Sequence, residues 1–221
     1  MPMNAQEAYD LIEKTGVVAG TRGAFGPEVA LRVCEILLGE GIKVFEFTMN
    51  SEQPIEAMQA VKKEFGDVAC VGMGTVLNLE TARRVLDAEP DFIVSPAFQP
   101  EIVSYVMEHD ILMAPGVITP SEAVDAWEMG VKLLKIFPIG ALGIEYFKAM
   151  FGPLNHMKFM CNGAVNADNV REFIQAGAIA GGMAGWLTGD GTWPDSKLRS
   201  RARVLLNSIA VARGETPLQE A

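Results

Sequence analysis

Two rhythms of hydrophobic spacing alternate along this chain. Short apolar runs (GVVAGT, KVFEFT, VACVGMG, DFIVSP, ILMAPG, KLLKIFP, MKFMCNG and GAIAGGMAG) are separated by amphipathic stretches of about 10 to 14 residues. The runs predict eight β-strands. The stretches between them predict helices, among them Pro27 to Leu38, Gln53 to Phe65, Leu79 to Ala88 and Ala167 to Ala176, and a further helix opens the chain near Asn4 to Lys14. Asn78, Thr119 and Asn166 carry side chains suited to cap helix N-termini. A β-then-α unit returning about every 20 to 26 residues requires a parallel sheet, because each crossover must bring the chain back to start the next strand in the same direction. Eight such units predict one α/β domain over residues 1–221, a (β/α)8 TIM barrel with an extra N-terminal helix. A doubly wound open sheet is the alternative, but no GxGxxG follows the first strand. The most loop-like stretch, Thr188 to Ser196, is expected to cover one mouth of the barrel.

Composition narrows the function classes. With 221 residues, 49% of them hydrophobic, the chain is long enough to bury roughly 70% of its unfolded surface. The formal net charge of -10 comes from scattered acidic residues, and no basic stripe is present to hold a nucleic acid. The first residues lack the pattern of a signal peptide, and no apolar run reaches the roughly 18 residues that span a bilayer. A cytoplasmic protein without membrane contact is expected. Cys34, Cys70 and Cys161 are odd in number, far apart and set in apolar surroundings, which predicts buried thiols rather than disulfides or a CxxC metal site. His109 and His156 match no metal-binding spacing, so no metal site is expected.

In such a barrel the loops after the strands form the active face, so a polar residue at the end of an apolar strand is a functional candidate. Lys135 lies late in the sixth run, and period-two alternation puts it on the face of Leu133 and Phe137. Apolar surroundings disfavour the ammonium form and make the amine a nucleophile toward a carbonyl carbon. Lys132, on the opposite face, is expected to reach water. Glu46 is embedded between Phe45 and Phe47; it suits proton transfer, and a salt bridge to Lys135 is its plain structural alternative. Arg22 follows the first strand among small residues, where its guanidinium can hold a planar carboxylate, and the Thr75 hydroxyl can assist. The turns CNGAV and GGMAGW expose backbone N–H groups where barrels often bind phosphate.

On these residues the chain resembles the bacterial 2-keto-3-deoxy-6-phosphogluconate aldolase and 4-hydroxy-2-oxoglutarate aldolase family. The resemblance runs from about Gly16 to Leu187, with five motifs in the family's order: EFTMNS, VGMGTVLN, FIVSPAF, APGVITPSE and LLKIFP. It implies Lys135 as the Schiff-base lysine, Glu46 as acid and base, Thr75 at the substrate carboxylate and Pro96 and Phe137 lining the site. It also implies a (β/α)8 barrel, usually a homotrimer, that needs no metal and no cofactor beyond the covalent lysine imine with its small-molecule 2-keto acid.

Three departures bear on substrate choice. An arginine common in the family after the second-strand threonine is Asn50 here; Thr-Gly-Gly becomes Asn162, Gly163 and Ala164; Gly-Val-Gly-Ser becomes Gly182, Met183, Ala184 and Gly185. Added methyl groups crowd a phosphate, and the missing hydroxyl removes a hydrogen bond worth about 1.5 to 3 kcal/mol. The expected reaction is class I cleavage of a 2-keto-4-hydroxy acid to pyruvate and an aldehyde. The favoured substrate is 4-hydroxy-2-oxoglutarate or an unphosphorylated 2-keto-3-deoxy sugar acid rather than the 6-phosphorylated one. Two other readings stand beside it: a lysine-imine decarboxylase or dehydratase, and a non-catalytic sugar-acid-binding or scaffold barrel.

Overall fold

Each apolar run becomes a parallel strand in the computed structural model, which describes residues 3–217. The strands are β1 (Val17–Thr21), β2 (Val44–Thr48), β3 (Cys70–Gly74), β4 (Phe92–Val94), β5 (Leu112–Ala114), β6 (Gly116–Val117), β7 (Leu134–Ile136), β8 (Phe159–Asn162) and β9 (Ala180–Met183). Nine strands from eight runs reflect one interruption. Pro115 has no N–H to give a ladder and divides the fifth run into β5, which pairs with β4, and β6, which pairs with β7. The sheet order β5-β4-β3-β2-β1-β9-β8-β7-β6 therefore begins and ends on one stretch of chain. The Lys135 N–H donates to the Pro115 carbonyl at 2.9 Å across that seam. The result is a nearly closed α/β barrel.

The helices are α1 (Ala5–Thr15), α2 (Pro27–Gly39), α3 (Pro54–Phe65), α4 (Leu79–Leu86), α5 (Pro100–Met107), α6 (Pro120–Glu128), α7 (Ile139–Phe151), α8 (Ala167–Gln175) and α9 (Asp195–Arg213). Asn4, Thr119 and Asn166 form capping boxes, and the Asn78 side chain accepts from the Thr81 N–H. Proline stands in the first turn of α2, α3, α5 and α6, where its missing N–H costs nothing. None of these helices is long and apolar enough to cross a membrane.

Two hydrophobic layers hold the barrel. Inside it, Val18, Val44, Cys70, Phe92, Leu112, Leu133, Met160 and Ala180 pack with Ala8, Tyr9 and Ile12 of α1, so the extra N-terminal helix plugs the end of the barrel away from the strand C-termini. Outside it, the alternate strand residues pack against the helices. The long α9 seals α2 and α8 with Leu198, Ala202, Leu205 and Ile209.

The Thr188 to Ser196 stretch is only partly a loop. Its end is already the first turn of α9, and its middle is tied to α2. Arg32 causes this: its guanidinium donates to the carbonyls of Gly191 and Trp193 and pairs with Asp195 at 2.7 Å. Cys34, Cys70 and Cys161 are buried and unpaired, as their spacing suggests, and burial pushes each thiol upward.

A buried carboxylate ties the N-terminal segment to the sheet. Asp91, 2% exposed, accepts from the N–H groups of Met3 (2.8 Å) and Val71 (2.7 Å) and pairs with Lys62 at 2.7 Å. Removing it leaves two amides without their acceptor and Lys62 without its counter-ion, with only the Glu89 carbonyl to receive a hydrogen bond. Asp91→Ala is expected to lower the unfolding free energy by about 3–5 kcal/mol. A urea titration followed by circular dichroism reads this; a loss below about 1 kcal/mol would show that the carboxylate is no anchor.

Candidate active site

The C-terminal ends of β1, β2, β7, β8 and β9 enclose a cavity in which the charged candidates meet. Lys135 projects into it from β7. Alternation along the strand sends Leu133 and Lys135 inward, Leu133 into the apolar floor and Lys135 one level higher. Its ladder neighbour Gly116 has no side chain to compete for that space. The lysine is 6% exposed, and burial pushes its amine below the ordinary value of 10.5; the Glu46 charge opposes this shift and Arg22 adds to it. Among the described residues Nζ makes no hydrogen bond and no ion pair, and its nearest aromatic neighbour is Phe137, whose ring centroid is 5.2 Å away.

Glu46 enters from the middle of β2, 5% exposed. Its carboxylate lies over Gly74 of β3, and a Cβ built on that glycine would collide with Oε1. The expected Glu46–Lys135 salt bridge is not formed within 4.0 Å; the two groups share the cavity and interact through space. Arg22, exposed at the rim just past β1, also has no partner among the described residues. Asn162 ends β8 with its amide packed over Gly182, and Oδ1 is buried without a hydrogen bond. Two buried titratable side chains and a buried amide thus converge unpartnered beside the exposed Arg22, an arrangement that costs stability unless a ligand completes it.

Of the candidates, Lys135, Glu46, Arg22, Phe137, Asn162, Gly163, Gly182 and Gly185 line the cavity, whereas Thr75 and Pro96 do not. Thr75 is half-buried in a left-handed conformation (φ 62°) after β3, and the Pro96 backbone is pressed against Gly116 where β4 meets β6. Both nevertheless stand next to the catalytic candidates: Thr75 follows Gly74, over which the Glu46 carboxylate lies, and Gly116 is the register partner of Lys135. Asn50 is exposed and also outside the lining. Lys132 is exposed and donates to Gln6, in keeping with its predicted outward face.

Sequence reasoning missed Gly20 and Thr48 in the lining, while Val165 and Trp186 arrive with the two turns it singled out. Thr48 could have been found, since the alternation that sends Glu46 inward does the same two residues later. Its hydroxyl donates to the Thr21 carbonyl at 2.9 Å and lies 2.8 Å from the Ser51 hydroxyl, tying the ends of β1 and β2 together. Among the described residues no group of three or more His, Cys, Asp or Glu side chains is placed to hold a metal.

The buried amine has a consequence for stability. Folded Lys135 holds its proton less tightly than the unfolded chain does, so stability rises with pH across the interval between its folded value and 10.5. Lys135→Met removes the buried cation at similar volume. The variant is expected to be more stable than the parent at neutral pH, with the gap narrowing as pH climbs through that interval. Chemical denaturation at neutral and alkaline pH measures this, and a variant less stable than the parent at every pH contradicts it.

Comparison with known proteins places the chain in a family. A sequence model of KDPG and KHG aldolase matches residues 25–198. The 2-dehydro-3-deoxy-6-phosphogalactonate aldolase of Escherichia coli (strain K12) is 30% identical over 171 residues, 77% of this chain and 83% of that protein. A solved structure described as native KDPGal superposes with a TM-score of 0.84 at 27% identity, covering 90% of this chain and 96% of its own. KDPG aldolase from Legionella pneumophila, solved with pyruvate captured as a covalent carbinolamine intermediate, superposes with a TM-score of 0.75 at 25% identity, covering 91% and 96%. A family match across most of the barrel, together with relatives covering more than two thirds of both chains, identifies this chain as a member of the KDPG and KHG aldolase family, an aldolase and so a lyase.

Proposed function

We propose that this aldolase cleaves a 2-keto-4-hydroxy acid to pyruvate and an aldehyde through an imine on Lys135, without metal or cofactor. The observation that carries the reading is the Lys135 amine: buried, shifted toward its neutral form, and facing a cavity shared with Glu46 and Arg22. A neutral amine is the nucleophilic form, and desolvation makes it easier to reach than in a solvated lysine. The Legionella relative, with pyruvate held as a covalent carbinolamine, supports the same chemistry here.

In the cycle, Nζ attacks C2 of the keto acid to give a carbinolamine, and Glu46 delivers a proton to the departing C2 hydroxyl as water leaves. The resulting iminium withdraws electrons from the C3–C4 bond. As that bond breaks, the C4 hydroxyl proton passes to Glu46 through a water and the aldehyde departs. The enamine left on Lys135 takes a proton at C3, and hydrolysis returns the free amine and pyruvate. Arg22 at the rim holds the C1 carboxylate, and the Phe137 ring beside Nζ limits where the ketone can sit. The family resemblance adds a homotrimer, and three buried, unpaired cysteines fit a reducing, cytoplasmic setting.

Incubation with pyruvate and sodium borohydride, followed by peptide mass spectrometry, tests the assignment. A reduced pyruvate adduct is expected on Lys135 and on no other lysine, and Lys135→Ala abolishes both adduct and turnover. Glu46→Gln is expected to lower kcat by about 10²–10⁴-fold while still trapping pyruvate slowly. Folded protein that forms no adduct would overturn the imine mechanism.

A further inference from the structure

We propose that the substrate carries a single negative charge, its C1 carboxylate, and that the aldehyde-bearing half is uncharged and hydroxylated. The inference rests on the imine reading and deepens it. Charged side chains on the cavity wall are three: Arg22, Glu46 and Lys135. Lys135 must be neutral to attack, so Arg22 is the one cation available to an anion, and the C1 carboxylate takes it. A second anion would enter a space whose remaining formal charge is the Glu46 carboxylate.

The rest of the wall is neutral. Ala184 and Trp186 present apolar surface, the Met183 and Val165 side chains turn outward against α8, and the Ala184 methyl faces Gly20 closely enough that a Cβ there would lie 3.2 Å from it. Further cations are held back from the cavity. The Arg201 guanidinium stacks over the Trp186 ring, 4.4 Å from its centroid, and Lys197 lies 3.5 Å over the Trp193 ring; neither lines the cavity. Trp186 thus stands between the cavity and the Arg201 guanidinium.

Neutral polar capacity is nevertheless present. The Asn162 amide is buried without a hydrogen bond, and the N–H groups of Gly185 and Trp186, at the start of the turn after β9, find no acceptor among the described residues. Backbone amides can cradle an anion. Here, however, a phosphate or second carboxylate would lose its hydration beside Glu46 with no counter-ion, a far greater cost than burying a hydroxyl. Hydroxyl groups both donate and accept, so they match an unpartnered amide and free N–H groups at once. Among the substrates anticipated from sequence this singles out the unphosphorylated 2-keto-3-deoxy sugar acid and disfavours the dicarboxylate 4-hydroxy-2-oxoglutarate.

The test runs the reaction toward condensation, in which C3 of the pyruvate enamine bonds to the aldehyde carbon and the aldehyde oxygen takes a proton. With protein that traps pyruvate on Lys135, kcat/KM is compared for glyceraldehyde, glyceraldehyde 3-phosphate and glyoxylate. The neutral acceptor is expected to exceed both anionic ones at least tenfold. Equal or better use of either anionic acceptor overturns the proposal while leaving the imine intact, whereas failure to trap pyruvate overturns the imine reading itself. Gly185→Lys adds a cation where a Cβ meets nothing within 4 Å. It is expected to raise kcat/KM for glyceraldehyde 3-phosphate at least tenfold; a variant that traps pyruvate but gains nothing would show that charge does not set the selectivity.

Discussion

The interior of a closed eight-strand sheet is too narrow for every strand to place a side chain at every level, and the site depends on how this chain divides that space. Where one strand carries a large inward group, its neighbour carries glycine. Phe92 fills the room left by Gly72, the Glu46 carboxylate lies over Gly74, and the Asn162 amide packs over Gly182. Lys135 pairs in register with Gly116. Methyl groups at these glycines would push the polar side chains out of the positions where they meet. The glycines of β3, β6 and β9 therefore have a steric task that is distinct from the turn-making role of Gly163, at φ 86°.

The floor of the barrel sets the electrostatics above it. Leu133 and Met160 lie below Lys135, and α1 closes the far end with Ala8, Tyr9 and Ile12, so water is kept from that side. An amine in such a place loses hydration on folding and receives no hydrogen bond in return. The nearby Glu46 carboxylate moderates the shift without neutralising it by contact. A direct ion pair would hold the lysine protonated and satisfied. Separation of the two groups leaves each free to face a substrate, with selectivity then falling to the surrounding neutral wall.

Stability is gathered elsewhere to carry this cost. Asp91 anchors the N-terminal segment and β3, and α9 closes over α2 and α8 while Arg199 and Arg203 reach Glu40 at the end of α2. Arg32 fixes the loop before α9 against α2. These contacts lie on the helical shell, away from the reacting groups, in keeping with the division between a stable body and a functional C-terminal face in this architecture.

The sequence by itself determined the strands, the parallel order, the capped helices and the inward direction of Lys135 and Glu46, because period-two and period-3.6 patterns are local and strong. The same alternation carried the information for Thr48. Tertiary structure alone decided which strand ends converge: it gathered β1, β2, β7, β8 and β9 around the lysine, with Thr75 and Pro96 on neighbouring strand ends outside the cavity wall. It also decided that Glu46 and Lys135 approach without pairing, that Trp186 screens Arg201 from the cavity, and that Pro115 splits one strand into two. Each of these depends on distances between residues far apart in the chain, set by register, barrel closure and packing, and a pattern of spacings along one dimension does not encode them.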